Sequence, residues 1–130
     1  MDQAIEHEVE LGASPSEVYK ALADGAAHSD FTGAPAEIST EAGGEFSCFG
    51  GAIVGRNVEL VPDARIVQAW RPADWPEGVY SMVSYELEGA GDGTKLRLTH
   101  SSIPDGMRDQ LEQGWNQRYW EPLRERMPAG

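Results

Sequence analysis

An α+β fold, in which a curved antiparallel sheet of seven strands wraps around one long C-terminal helix, is what these 130 residues predict. Three features carry that reading. Side chains alternate between apolar and polar along IEHEVEL (5–11), along Val79, Ser81, Val83, Tyr85 and Leu87, and along Leu96, Leu98 and His100. That period of two is the mark of a strand with one buried face. Near the C-terminus, Met107, Leu111, Trp115, Tyr119 and Leu123 recur every four residues, the stripe of an amphipathic helix. Between these regions lie only short turns, so the strands are expected to run as an antiparallel meander. A sheet of this kind must cover its apolar face, and the terminal helix is the one large element able to do so.

Each element follows from local chemistry. Ile5, His7, Val9 and Leu11 share the inner face of the first strand, and SPSEVYKAL (14–22) then opens a helix. Ser14 is placed to cap it, Pro15 suits the first helical position, and Glu17 completes a capping box. A second short helix is expected near 24–30, and strands near 36–40, 45–49, 53–61, 64–71, 79–88 and 94–101. Pro62-Asp63 and the glycines at 91 and 93 provide turns. The run GGEFSCFGG (43–51) enters a strand rather than a helix and lacks the lysine of a phosphate loop. It reads as two glycine turns around a strand that buries Phe46 and Cys48. In the last helix, Gly114 beside Trp115 is expected to permit close approach to the sheet, and Pro122 to weaken or kink the final turns.

The length suits a single domain, taken as residues 1–130. A formal charge of −12 repels phosphate backbones and anionic lipid heads, which argues against nucleic-acid and membrane-surface binding. The acidic residues are dispersed, as on a solvated surface, though they could also face a basic protein partner. No run approaches a membrane span. The start MDQAIEHEVE resembles neither a signal nor a transit peptide, so a cytoplasmic location is expected. The one cysteine, Cys48, excludes an internal disulfide and a two-cysteine metal knuckle.

Chemistry-bearing patterns are few. His7, His28 and His100 have no metal-ligand spacing, and no nucleophile elbow, Walker loop or dinucleotide fingerprint is present. No metal, cofactor or catalytic residue is assigned on this basis. His7 and His100 fall on the apolar phase of the first and last strands and could approach each other if those strands pair. Four tryptophans are many for this length, and they point to an apolar pocket between helix and sheet. The candidate cavity residues are Phe49, Trp70, Trp75, Tyr85, His100, Trp115 and Tyr119.

Several stretches together resemble one family: SPSEVYKAL (14–22), FTGAPAEI (31–38), GGEF (43–46), LVPDARIVQAWR (60–71), DWPEGVYS (74–81) and GWNQRYWEPL (114–123). They resemble the C-terminal domain of the activator of heat shock protein 90 ATPase, within the START-like superfamily of helix-grip (Bet v-like) folds. The resemblance implies seven antiparallel strands around a long helix, two small helices after the first strand, and no cofactor. It also implies a heat shock protein 90-type chaperone as partner. The full-length co-chaperone carries an N-terminal domain with no counterpart in this chain, and FGGAIVG (49–55) departs from the family's usual glycine-asparagine run.

Three functions stand on these observations. The first is a stand-alone, non-catalytic relative of the chaperone activator with a co-chaperone or stress-response role. The second is a carrier or sensor of a small apolar ligand held between helix and sheet. The third, ranked last, is a cyclase-type enzyme using a pocket histidine or carboxylate. A monomer or weak homodimer is expected.

Overall fold

The computed structural model describes residues 2–129; Met1 and Gly130, the ends of the predicted 1–130 domain, lie outside the described residues. The elements run β1 (Ile5–Leu11), α1 (Pro15–Ala23), α2 (Gly25–Thr32), β2 (Glu37–Ile38), β3 (Glu45–Cys48), β4 (Ile53–Val61), β5 (Arg65–Pro72), β6 (Ser81–Ala90), β7 (Gly93–Ser101), α3 (Arg108–Gly114) and α4 (Glu121–Arg126). A π-helical segment, Trp115–Trp120, joins α3 to α4 into one continuous rod. The seven strands form one sheet in the order β1-β7-β6-β5-β4-β3-β2, and every neighbouring pair is antiparallel. The predicted helix-grip architecture is the observed one.

Both capping predictions concern orphan N–H groups at helix starts. Ser14 Oγ accepts from the Glu17 N–H at 3.2 Å, as expected of a cap. The reciprocal half differs: the Glu17 carboxylate accepts from the Ser14 hydroxyl at 3.3 Å rather than from its backbone N–H. Asp24 caps α2 by accepting from the Ala27 N–H at 2.9 Å. The helix start at α3 is satisfied from the other end of the chain. Asp2 Oδ2 accepts from the backbone N–H groups of Gly106 at 2.9 Å and Arg108 at 3.0 Å.

The core lies between the concave face of the sheet and the helices. Alternate residues of each strand enter it, among them Val9, Ile66, Val83, Tyr85, Leu96 and Leu98, and the terminal rod covers them with Trp115, Tyr119, Trp120 and Leu123. At about 25 cal/mol per Å² of apolar area removed from water, burial of this kind dominates the favourable side of folding.

Three local expectations need correction, and a fourth, at Pro122, takes a particular form. Phe49 does not extend β3; with Gly50 and Gly51 it forms a tight turn, all three at positive φ (54°, 66° and 97°). β6 begins at Ser81, because Val79 still closes a turn with its N–H on the Pro76 carbonyl. Gly114 is no close-approach point: a Cβ there would meet nothing within 4 Å. Pro122 leaves the rod continuous, and the helix widens just before it. The Glu121 N–H reaches back five residues to the Asn116 carbonyl, and this wider turn eases the clash a proline ring makes with the carbonyl four residues earlier.

Candidate functional site

Where the rod crosses the open end of the sheet it leaves a cleft of about 530 Å³. Its floor is made by Trp70, from the inward phase of β5, and Trp115, from the π segment, stacked 4.9 Å apart with 24° between their planes. Phe49, Ile53, Trp75 and Tyr119 close the sides.

Both floor indoles turn their polar edges away from the cleft. Trp70 Nε1–H donates to Gln68 Oε1 at 2.9 Å, Gln68 Nε2 donates to Asn57 Oδ1 at 3.0 Å, and Asn57 Nδ2 donates to the Ser39 carbonyl at 2.8 Å. This chain satisfies three buried polar side chains on β4 and β5. Trp115 Nε1–H donates to His100 Nδ1 at 3.0 Å. Since an indole can only donate, His100 carries its proton on Nε2 and gives it to Ser81 Oγ, 2.7 Å away. Ser81 and His100 therefore do not form a nucleophile and base: the nitrogen facing the hydroxyl is already a donor, and both residues are 0 % exposed. Burial lowers the His100 imidazole to about 4.

A second indole–imidazole bond repeats the arrangement at the sheet edge. Trp120 Nε1–H donates to His7 Nδ1 at 2.9 Å, and His7 Nε2–H donates to Glu112 Oε2 at 3.0 Å. That hydrogen bond, aided by Arg108, holds the Glu112 carboxyl below its usual range. The two strand histidines do not meet as the alternation suggested. In the β1–β7 register His7 lies opposite Leu98 and His100 opposite Ile5, so each ring takes its own tryptophan.

Phe49 occupies the left-handed region at a cost that L-residues seldom bear. The strained turn aims its ring at Tyr119 (5.8 Å), His28 (5.7 Å) and the Arg118 guanidinium, which sits 5.5 Å from the ring centre. Trp75 is held by its turn: its N–H donates to the Pro72 carbonyl at 3.0 Å, and its carbonyl accepts from Arg71 Nη1 at 2.9 Å.

Beneath the cleft, the Tyr119 hydroxyl meets His28 Nε2 at 2.9 Å, and His28 Nδ1 has no partner among the described residues. Burial lowers the His28 imidazole to about 4 and pushes the Cys48 thiol up to about 12, which leaves Cys48 an inert core group. Burial and the neighbouring Tyr85 also raise Tyr119 well above the ordinary phenol value.

Of the predicted cavity residues, Phe49, Trp70, Trp75, Trp115 and Tyr119 border the cleft. Tyr85 and His100 do not; they sit behind Trp115, at 5.8 Å from its ring in each case, and fix it from the rear. The sequence reading missed the rim, formed by Asp74, Gln110, Gln113, Gly114, Gln117 and Arg118. Its signal was the helical spacing of the three glutamines, which reads equally as a solvated face. Among the described residues no group of three or more His, Cys, Asp or Glu side chains could hold a metal ion. No helix among them is long and apolar enough to cross a membrane.

Gly114 has ordinary helical angles (φ −61°, ψ −42°) and open space before it. Gly114→Ala is therefore expected to raise unfolding stability by about 0.5–1 kcal/mol in urea denaturation, by removing glycine's excess backbone entropy.

The family model described as "Activator of Hsp90 ATPase homolog 1-like protein" matches residues 12–127. The chain belongs to that family. Within this Hsp90 ATPase activator homologue family, it is 30% identical over 117 residues to the human activator of 90 kDa heat shock protein ATPase homolog 1. The match covers 90% of this chain and 35% of the human protein. The chain thus spans about a third of the length of that curated relative. Among solved structures, an HSP90 activator from Plasmodium falciparum superposes with a TM-score of 0.91 at 29% identity, with 95% of each chain covered. A protein from Chromobacterium violaceum superposes at 0.79 with 26% identity over the whole of both chains.

Proposed function

We propose that this protein is a non-catalytic domain that acts on a heat shock protein 90-type chaperone and promotes its ATP turnover as a cytoplasmic co-chaperone. The observation that carries this reading is the likeness to the Plasmodium activator, whose solved chain is matched along 95% of its length. The dispersed acidic surface, at −12, suits a basic face on the chaperone and would speed encounter at low salt. The test is the steady-state ATPase rate of a purified heat shock protein 90 chaperone titrated with the full chain. A saturable rise in rate, weakened by added salt, is expected. An unchanged rate at saturating protein would overturn the proposal.

The cleft favours a second reading, in which the same domain carries or senses a small ligand. An opening of about 530 Å³ floored by stacked indoles has the size and lining of small-molecule sites. Thermal denaturation in the presence of neutral aromatic compounds tests it; no shift with any of them would remove it.

A further inference from the structure

We propose that the Phe49 ring is a displaceable plug over His28, and that a small neutral phenol takes its place there, an inference that rests on the small-ligand reading of the cleft.

His28 is the polar group left without a role by the fold. It is 2% exposed, and its Nε2 is taken by the Tyr119 hydroxyl at 2.9 Å, while Nδ1 has no hydrogen-bond partner among the described residues. A buried polar atom left unpaired costs free energy, and native structures carry few of them. Three aromatic rings pack on this imidazole: Phe31 at 5.1 Å, Tyr119 at 5.4 Å and Phe49 at 5.7 Å. Phe31 and Tyr119 are buried core residues, whereas Phe49 is only partly buried and borders the cleft. Of the three, Phe49 is therefore the ring that can leave and open His28 to the cleft.

The backbone supports the same assignment. Phe49, Gly50 and Gly51 all have positive φ, a run that glycine fills without strain and a phenylalanine does not. Main-chain bonds hold the turn, from the Gly50 N–H to the Pro35 carbonyl at 3.0 Å and from the Ala52 N–H to the Phe49 carbonyl at 3.3 Å. Neither uses the Phe49 side chain, so the turn does not need that ring. What the ring does is cover His28.

The space it vacates sets the ligand. That space has the size of one phenyl ring and is walled by Phe31, Tyr119 and His28, so it admits a single aromatic ring rather than a fused system or a long chain. A hydroxyl is the substituent that suits Nδ1. It both donates and accepts, and so pairs with that nitrogen in either tautomer, whichever partner carries the proton in the His28–Tyr119 bond. A carboxylate does not suit it, because burial keeps the imidazole neutral, at about 4. The stack of Trp70 on Trp115 takes no part and stays closed.

The experiment titrates the full chain, isotopically labelled at nitrogen, with para-fluorophenol and reads the ligand's fluorine resonance together with the His28 imidazole nitrogens. Fluorobenzene, the same ring without the hydroxyl, and para-fluorobenzoate, which carries a charge instead, serve as comparisons. Saturable binding of the phenol is expected, about tenfold tighter than either comparison, which corresponds to about 1.4 kcal/mol, with the His28 Nδ1 resonance moving for the phenol alone. Phe49→Gly, which keeps the turn and removes the plug, should tighten the phenol about tenfold. His28→Gln, with its fold checked by circular dichroism, leaves Tyr119 a partner but removes Nδ1, and should bring the phenol down to the affinity of fluorobenzene. Equal binding of phenol and fluorobenzene, or an unmoved Nδ1 resonance in the unaltered chain, overturns His28 as the anchor. An unchanged affinity in Phe49→Gly overturns the plug. If the phenol binds neither the unaltered chain nor Phe49→Gly, the whole proposal falls. The small-ligand reading is judged separately, by thermal shifts with the wider set of neutral aromatic compounds, so the two failures are told apart.

Discussion

Trp115→Ala is expected to lower unfolding stability by about 3–5 kcal/mol, the cost of emptying a large aromatic site in a packed core. Trp115 is 2% exposed and lies at the centre of the aromatic cluster. It stacks on Trp70 at 4.9 Å and on Trp120 at 5.4 Å, and Tyr85 meets it edge-on at 5.8 Å. The truncation also strands His100 Nδ1, a buried acceptor whose partner is the indole N–H. Trp115→Phe separates the two contributions, since it keeps most of the ring and removes the donor. It is expected to cost about 1–3 kcal/mol, mainly the unsatisfied imidazole nitrogen. Urea denaturation with matched m-values measures both. A loss below about 1.5 kcal/mol for Trp115→Ala would mean that the helix is not anchored through this residue.

Acid is expected to remove stability through two buried histidines. His28 and His100 are held to about 4 by burial, against an ordinary value of 6.5. Folding therefore favours their neutral forms. The stability they confer is complete above about pH 6.5 and is lost as pH falls from there through 4, at about 3 kcal/mol each. Physically, a protonated His100 would present an N–H to the Trp115 N–H, and a charged His28 would sit among Phe31, Phe49 and Tyr119 with one nitrogen unpartnered. Falling pH also relieves the self-repulsion of a chain at −12, an opposite effect on total stability. The direct readout is therefore NMR titration of the imidazole resonances. Midpoints near 4 for His28 and His100 are expected, and midpoints near 6.5 would show that neither ring is buried as described.

The sheet and its wrap were legible because they rest on local periods. Alternation in IEHEVEL and in residues 94–101 assigns each side chain to a face whatever the strand pairs with, and the burial along β1 and β7 follows it. The large aromatics of the cleft were legible for a related reason: Trp70 and Trp115 lie on inward phases of their elements. What stayed hidden depends on register between distant segments. His7 and Trp120 are 113 positions apart, and nothing in either neighbourhood shows that an indole will reach that imidazole. Tyr85 and His100 share the inward phase with Trp70, yet Trp115 lies between them and the opening. The turn at Phe49 escaped because Phe46 and Cys48 do alternate, and only the left-handed angle at residue 49 ends the strand. The glutamine rim was visible as a pattern but not as a wall, since exposed polar residues on a helix usually face only water.

The Asp2 cap on the terminal rod has a consequence for how the chain acquires this shape. The cap spans 104 positions to Gly106 and 106 to Arg108, and β1 pairs with β7 across nearly the same interval. Loop closure over such distances is slow, and contacts of this kind cannot reward the chain until both ends exist. During synthesis the first strand therefore waits with an unpaired edge and a bare apolar face until residues 93–101 have left the ribosome. The first turn of the rod gains its cap later still. Closure of the sheet and then capping of the rod are therefore expected to come late and in that order, which leaves the first strand of the nascent chain open to misassembly.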